Sequence, residues 1–270
     1  MRRLVVAAVL MGGLLANPAG ACADDIIFKD KSGRVLTESD LATATGTFNW
    51  EIHSGTPVPA EAQALHEKGR AAGAAGDSKA ALDYFAQAAA LAPDWPYPLY
   101  DAAYTYMLQR DFKTAYAYYQ RVDAMEPRGY FTVKTAVDTL AKEAAGKLPQ
   151  GLYLYFVGLE WQTDPAKKYQ ALVEMTEKIP QFAPGWKERA VLETDDDKQL
   201  VALDNGLRDD PDAETRGFLL VNKALLLNRR GQRDAAIAML GELALDPASP
   251  LDIEIIAKKN IELILKRPAN

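Results

Sequence analysis

Few side chains of this 270-residue chain are suited to nucleophilic or metal chemistry. The chain has two histidines, His53 and His66, and a single cysteine, Cys22. Zinc sites need several His or Cys ligands, and a serine or cysteine nucleophile is usually activated by a neighbouring histidine. Neither histidine accompanies a recognisable nucleophile motif. We therefore expect no enzymatic activity, no metal and no cofactor.

The densest carboxylate runs are Asp195-Asp196-Asp197 and Asp209-Asp210. A calcium-type site needs acidic residues at alternating loop positions together with a turn glycine, and neither run has that form. Acidic residues also favour helix starts, where they meet the positive end of the helix dipole, so capping is the preferred interpretation. The 31 basic and 37 acidic residues give a net charge of −6, which argues against a nucleic-acid partner.

Tyrosines are concentrated in one stretch. Of the twelve in the chain, all but Tyr169 lie between Tyr84 and Tyr155. Tyrosine offers a large contact area at low entropic cost, which favours recognition of another protein. Aromatic residues at helical spacing also form cores, so both interpretations stay open.

The elements that carry these tyrosines repeat. Four positions recur 34 residues further along the chain: Asp77 as Asp111, Ala81 as Ala115, Phe85 as Tyr119 and Pro93 as Pro127. Each block contains two short helical stretches that are too short to be stable alone. Small residues at Gly69 and Ala81 allow the two helices to approach, and proline ends the block because it cannot continue a helix. Stacked blocks would bury a continuous seam.

These positions resemble the tetratricopeptide repeat (TPR) family, strongly over 62–129 and more weakly over 150–250. The resemblance implies an all-α fold, a TPR-like α-solenoid of helix pairs, with a protein or an extended peptide as partner. In that family the first helix of each pair lines a concave face. The matching positions here are His66, Arg70, Tyr97, Tyr100, Tyr104, Met107, Phe131 and Lys134. We therefore expect a tyrosine-lined groove flanked by basic side chains.

Helical periodicity predicts helices over 60–73, 78–91, 96–109, 112–125, 129–145, 151–163, 166–179, 185–193, 196–208, 213–230, 233–245 and 250–266. Ala183-Pro184-Gly185-Trp186 echoes Ala92-Pro93-Asp94-Trp95, so Pro184 is predicted to end a repeat. The predicted segments are a signal peptide (1–23), an amino-terminal arm and linker (24–59), two regular TPR units (60–128), irregular helical repeats (129–211), and a final TPR-like unit with a capping helix (212–270).

The arm differs in kind from the repeats. Ile26-Ile27-Phe28 and Arg34-Val35-Leu36 flank a turn signal at Lys31-Ser32-Gly33, and residues 47–52 alternate between apolar and polar. This pattern predicts a short β-hairpin or an extended arm.

The amino terminus combines two arginines, an apolar run over 4–16 and small residues near position 20, as secretory signal peptides do. The apolar run is shorter than the roughly 20 residues that a membrane-spanning helix needs, so we expect export without an integral span. Two cleavage sites stay open. Ala21-Cys22-Ala23 suits ordinary signal peptidase, whereas Ala19-Gly20-Ala21-Cys22 resembles a bacterial lipobox that would make Cys22 a lipid anchor.

Together these features predict an exported TPR scaffold or adaptor of a Gram-negative-type cell envelope, either periplasmic or anchored at the outer membrane. It would bind its partner through the tyrosine-lined groove. The alternative is a structural subunit of a larger envelope or secretion assembly, in which the aromatic surface is permanently buried.

Overall fold

The computed structural model describes residues 25–29, 49–53 and 57–266. The chain divides into two compact units, Met1–Glu126 (unit 1) and Pro127–Asn270 (unit 2). The predicted signal peptide, Cys22 within it and the predicted turn at Lys31-Ser32-Gly33 lie outside the described residues. No helix in the described part of the chain has both the length and the apolar character needed to cross a bilayer.

Two short strands precede the helices. Strand β1 (Asp25–Lys29) pairs antiparallel with β2 (Asn49–His53), and Ile27 lies opposite Glu51. The predicted hairpin between residues 26–28 and 34–36 is not supported, because the strand that pairs with β1 is β2. Residues 34–36 fall outside the described part of the chain.

Unit 1 contains two helix pairs. Their bounds are α1 Ala60–Ala74, α2 Ser78–Leu91, α3 Tyr97–Leu108 and α4 Phe112–Met125. Helix α1 packs on α2 and α3 packs on α4, while α2 joins the pairs by packing on α3. The predicted bounds of these four helices agree with the structure to within one residue at each end.

The two pairs of unit 1 share their turn geometry. The Asp77 carboxylate accepts from the main-chain N–H of Ala80 at 3.0 Å, and Asp111 accepts from Thr114 at 3.1 Å. The residue before each aspartate is left-handed, with φ 85° at Gly76 and 62° at Arg110. Each aspartate therefore caps a second helix after a tight turn, as expected of aspartate at an N-cap.

Small residues bring α1 and α2 together. A Cβ at Gly69 would lie 2.5 Å from the Phe85 ring, which leaves no room for any larger residue. Ala81 and Phe85 are buried with Ala102 of the next pair in one apolar cluster. The close approach predicted at Gly69 and Ala81 is therefore present.

Unit 2 contains the remaining helices. They are α5 Val133–Ala144, α6 Leu152–Gly158, α7 Pro165–Lys178, α8 Ala183–Leu192, α9 Asp196–Arg208, α10 Ala213–Arg229, α11 Arg233–Leu245 and α12 Leu251–Lys266. A single 3-10 turn, Leu159–Trp161, follows α6. Outside the β1–β2 pair, the described fold is all-α.

The helices of unit 2 stack as pairs, and some also contact helices that are far away in the sequence. Helix α8 packs on α9, and α10 packs on α11, which packs on α12. Helix α10 also contacts α5, α8 and α12. The Leu251 N–H donates to the Arg128 carbonyl at 2.8 Å, so the first residues of unit 2 meet the start of its last helix.

Pro184 lies inside the following helix, whereas the predicted helix begins after it, at residue 185. It lies in the first turn of α8, which begins at Ala183, and Trp186 is part of that helix. Proline is tolerated in a first turn because the N–H that it lacks has no intrahelical partner there. A proline beside a helix boundary is therefore compatible with a helix end or a helix start, and here it marks a start.

The capping predicted for the two acidic runs is present only in the first, because Asp209 and Asp210 follow the end of α9 instead of starting a helix. The Asp195 carboxylate accepts from the main-chain N–H groups of Asp197 and Lys198, each at 3.0 Å, at the start of α9. Asp212 does the same at the start of α10, where it accepts from Glu214 and Thr215.

Candidate protein-interaction surface

Helices α1 and α3 are in contact in unit 1, and they position six of the eight predicted binding residues. His66 and Arg70 lie on α1. Tyr97 begins α3, which also carries Tyr100, Tyr104 and Met107. The half-exposed side chains on this side of the pair are Arg70, Trp95, Tyr97, Asp101 and Tyr104. We call these five residues the α1–α3 face.

His66 lies beneath this face and is buried. Its Nε2 is 2.8 Å from Oδ2 of Asp101. Its ring centroid lies 4.5 Å from that of Tyr97 and 4.9 Å from that of Trp95. The histidine therefore fixes Asp101 and two aromatic rings in place instead of contacting a partner directly.

Arg70 lies against the same groups. Its Nε is 3.7 Å from Oδ2 of Asp101, and its Nη1 donates to the Tyr97 hydroxyl at 3.4 Å. The guanidinium carbon lies 5.7 Å from the centre of the Tyr97 ring, within the range of a cation–π contact. The α1–α3 face thus presents a cation, a carboxylate and aromatic rings in one connected group.

Tyr100 and Met107 are not on this face. They are 3% and 0% exposed, and the Tyr100 ring packs edge-on against Tyr119 at 5.5 Å. The expectation that both stand away from the packing surface is wrong. Helix α3 is contacted by α1, α2 and α4, so its buried arc is wide. Tyr97, Asp101 and Tyr104 stay half-exposed, as does Tyr106, and Leu108 at the end of the helix is exposed.

Phe131 and Lys134 belong to unit 2. Phe131 precedes α5 with a left-handed φ of 48°, and its ring packs edge-on against Tyr130 at 4.5 Å. Lys134 lies in the first turn of α5 and is half-buried. The structure therefore describes these two residues together with α5 and not with the α1–α3 face.

Sequence reasoning missed Trp95 and Asp101 as members of this surface. Asp101 follows Tyr97 by four residues and precedes Tyr104 by three, so helical spacing places it on the same strip as these two tyrosines. Trp95 lies before α3, where helical spacing carries no information.

Unit 2 has a cluster of charged side chains that sequence reasoning did not anticipate. Lys187 is buried, with its Nζ 3.5 Å from Oε1 of Glu188 and 5.3 Å from the centre of the Phe218 ring. Burial alone would lower the pKa of Lys187, but the surrounding carboxylates, led by Glu188, raise it. Burial likewise opposes ionisation of Glu188, but Lys187 and Lys168 hold its pKa below the usual value.

In contrast to Glu188, three other carboxyls of this cluster have raised pKa values. Burial and the Asp212 charge raise the pKa of Glu214 well above its usual value. Burial raises the pKa of Asp252 to about 7. Burial and the Glu188 charge raise the pKa of Glu160 to about 7. The cluster therefore holds protons at pH values where ordinary carboxyls are ionised. Within the described residues, no group of three or more His, Cys, Asp or Glu side chains is arranged to hold a metal ion.

The decisive repeat lies in unit 1, where a capping aspartate, a left-handed turn and a crossing built on small residues recur at an offset of 34 residues. This is the arrangement that the resemblance to TPR helix pairs implies. A left-handed glycine after the first helix of a pair is also found at Gly146 after α5 and at Gly231 after α10.

Two solved TPR structures are similar to the chain. A thermophilic TPR protein from Thermus thermophilus is 21% identical over 74% of this chain and 99% of that protein, with a TM-score of 0.31. The TPR2AB domain of yeast Sti1, solved as a pHSP90 complex, is 14% identical over 73% of this chain and 97% of that domain, with a TM-score of 0.32. No protein-family model and no curated protein matches the sequence.

Proposed function

We propose that the protein is a non-enzymatic interaction scaffold, and that the α1–α3 face of unit 1 contacts its protein partner. The observation that carries this proposal is the group formed by Arg70, Tyr97 and Asp101, held at the surface by the buried His66. Arginine and tyrosine dominate the binding energy of protein interfaces.

The contacts beneath the face support this role. A side chain that is already fixed loses less entropy on binding, so a preorganised surface binds more tightly than a flexible one of equal area. Arg70 is fixed by Asp101 and Tyr97, and Tyr97 is fixed by the His66 ring. Helix α3 adds Tyr104 one turn beyond Asp101, which extends the face along the helix.

The chemistry of the face suits an extended segment or a helix that offers both an apolar side chain and polar groups. Aromatic rings at Trp95, Tyr97 and Tyr104 provide apolar area, and Asp101 and Arg70 offer an acceptor and donors. Since Arg70 and Asp101 already pair with each other, the face has no large excess of either charge. It is suited to a partner of mixed polarity and not to a strongly acidic one.

A crosslinking experiment in the source cells tests this proposal. We compare the full-length wild type with Tyr104→Ala, using Tyr116→Ala on α4 as a matched control for loss of a half-exposed tyrosine. Removal of an interface tyrosine should weaken binding about tenfold or more, so the crosslinked partner should be lost from Tyr104→Ala alone. An unchanged set of crosslinked proteins with a folded Tyr104→Ala variant would refute the role of this face.

We also propose that the protein is exported to a bacterial cell envelope. The support is the sequence of residues 1–23, which has the charged start, apolar run and small residues of a signal peptide. Amino-terminal sequencing of the mature protein, and fatty-acid labelling of the wild type and Cys22→Ser, would separate a periplasmic form from a lipid-anchored form. A mature chain that still begins at Met1 would rule out cleavage.

A second candidate function, a subunit of a larger assembly, is favoured by one observation in unit 2. Tyr155 and Trp161, six residues apart in the sequence, are 54% and 57% exposed, and exposed apolar side chains that form a contiguous patch mark an interaction surface. If the protein is such a subunit, Tyr155→Ala combined with Trp161→Ala should shift it to a smaller complex in sized cell extracts. The adaptor proposal expects no shift from these substitutions.

A further inference from the structure

The segment from Arg128 to Ala144 closes unit 2 against two helices that come much later in the sequence. The Arg128 side chain donates to the Ser249 carbonyl from Nε at 3.3 Å and from Nη2 at 3.2 Å, and it also pairs with Glu254 of α12. On α5, the Thr135 hydroxyl donates to Asp212 at 3.2 Å and lies 3.1 Å from the hydroxyl of Thr215 on α10. We call this set of contacts the clasp.

Two carboxyls lie where the clasp meets α10 and α12. Glu214, on α10 beside Thr215, is 2% exposed, and Asp252, on α12 beside Leu251, is 4% exposed. Among the described residues, Oε2 of Glu214 and Oδ2 of Asp252 are buried without a hydrogen-bond partner, as is Oδ2 of Asp212. An ionised carboxylate in such a position is costly, whereas a neutral carboxylic acid is tolerated.

We propose that the clasp is gated by protons: it stays closed while Glu214 and Asp252 are neutral, and it loosens when they ionise. The inference concerns unit 2 alone and does not depend on partner binding by unit 1.

The charges around the two carboxyls favour this behaviour. Charged side chains from several helices and loops surround Glu214 and Asp252 or their immediate neighbours. They are Asp138 and Lys142 on α5, Glu160 after α6, Lys168 on α7, Lys187 and Glu188 on α8, Asp210 and Asp212 before α10, and Arg128 and Glu254 at the clasp itself. Lys187 is the buried cation that acts on both Glu214 and Asp252. It already compensates Glu188 at 3.5 Å, so two further negative charges would be poorly balanced.

The direction of the pH effect follows from the raised pKa values. Burial raises the pKa of Glu214 well above its usual value and that of Asp252 to about 7. The closed clasp therefore binds more protons than the open one. Its stability is fully present below the ordinary carboxyl pKa near 4 and is lost as pH rises through about 7. Each group changes the opening equilibrium by up to about tenfold per pH unit within that range.

Opening would uncover apolar side chains. Val133 and Ala136 of α5 are fully buried, and Tyr130 in the preceding segment is buried as well. The exchange of main-chain amide hydrogens in α5 should therefore report the state of the clasp. The helices of unit 1 serve as the internal reference in the same sample.

The experiment is amide hydrogen exchange of the full chain between pH 5.5 and 8, corrected for the intrinsic effect of pH on exchange. We expect the opening equilibrium of α5 to increase at least tenfold over this range relative to α1–α4. In the Glu214→Gln, Asp252→Asn double variant this increase should disappear, because neither side chain ionises. Glu177→Gln, which removes an exposed carboxyl on α7, should keep the wild-type response.

Two results would overturn the proposal. The first is an opening equilibrium of α5 that changes with pH no more than that of α1–α4 in the wild type, and this result needs no variant. The other is a double variant that keeps the wild-type increase in α5. If the double variant does not fold, Asp252→Asn alone should reduce the increase, and an unreduced increase in that variant refutes the gating in the same way.

Discussion

Units 1 and 2 are built from similar helices, but they are held together differently. In unit 1, each helix packs on its neighbour in the sequence, and α1 also reaches α3 in the next pair. In unit 2, hydrogen bonds join residues 77 positions apart at Thr135 and Asp212, and 121 positions apart at Arg128 and Ser249. A repeat therefore extends by adding local contacts, whereas unit 2 closes on itself through distant ones.

The two units also differ in what they bury. The core of unit 1 joins small and aromatic side chains, such as Ala81 with Phe85. Of its buried polar residues, His66 is paired with Asp101, and the hydroxyl of Thr105 donates to the Asp101 carbonyl. Unit 2 buries Lys187 together with the carboxyls Glu214 and Asp252. When a unit closes, charged side chains on distant helices become buried beside one another. Each of them must then pair with an opposite charge or, if it is a carboxyl, stay protonated.

The largest effect that separates the units is expected at Lys187. Lys187→Met keeps most of the apolar stem but removes one of the two cations that compensate Glu188, while Lys168 remains at 3.3 Å. Breaking a buried ion pair costs about 3–5 kcal/mol, and we expect the lower end of that range here. We expect a loss of this size in the stability of α8–α11, measured by hydrogen exchange, with α1–α4 unchanged. Lys198→Met, at an exposed site on α9, serves as the control. A loss below about 1 kcal/mol would mean that the cluster is open to water.

A smaller effect, confined to unit 1, is expected at Gly69. A valine there would meet the Phe85 ring and the Ala81 carbonyl, and overpacking of this kind costs about 1–3 kcal/mol. Urea unfolding followed by exchange of α1–α4 amides measures the change. Gly73→Ala is the matched control on the same helix, since its nearest neighbour would be the Ala81 Cβ at 3.7 Å. It should instead stabilise α1 by up to about 1 kcal/mol. Equal effects of both substitutions would contradict a close crossing at Gly69.

The smallest effect tests whether the two helix pairs of unit 1 are equivalent. Asp77→Ala and Asp111→Ala each remove a side-chain cap, which costs about 1 kcal/mol. Because the two caps have nearly the same geometry, we expect the two losses to agree within about 0.5 kcal/mol in thermal unfolding. A clearly larger loss at one site would show that the pairs differ in how strongly their neighbours support them.

The helix pairs were predictable because their signals are local. Gly69, Asp77 and Pro93 each act on a turn or crossing within their own block, so a repeat in the sequence becomes a repeat in the structure. The same holds for the cap at Asp195, which depends only on the next three residues. The predicted start of α8 is two residues late, since a proline beside a helix boundary does not show whether it lies before the helix or in its first turn.

The exposure of α3 and the charged cluster were not predictable in the same way. Whether Tyr100 or Asp101 faces outward depends on how many helices surround α3, and periodicity describes only one buried face. Glu214 and Asp252 look like ordinary acids at helix starts. Glu214 lies on α10, which contacts α5 and α8 from tens of residues earlier in the sequence, and Asp252 lies on α12, which packs on α10 and α11.

The contacts of Arg128 with the Ser249–Leu251 segment also have a consequence for the order in which the chain folds as it emerges, amino terminus first, from the ribosome or from an export channel. The pairs of unit 1 can form as soon as each emerges, but Arg128 must wait for Ser249, 121 residues later. At a synthesis rate of about 5–20 residues per second this delay is roughly 6–24 s. Throughout that interval Val133 and Ala136 lack their final covering, so α5 is where we expect a chaperone of the emerging chain to bind longest.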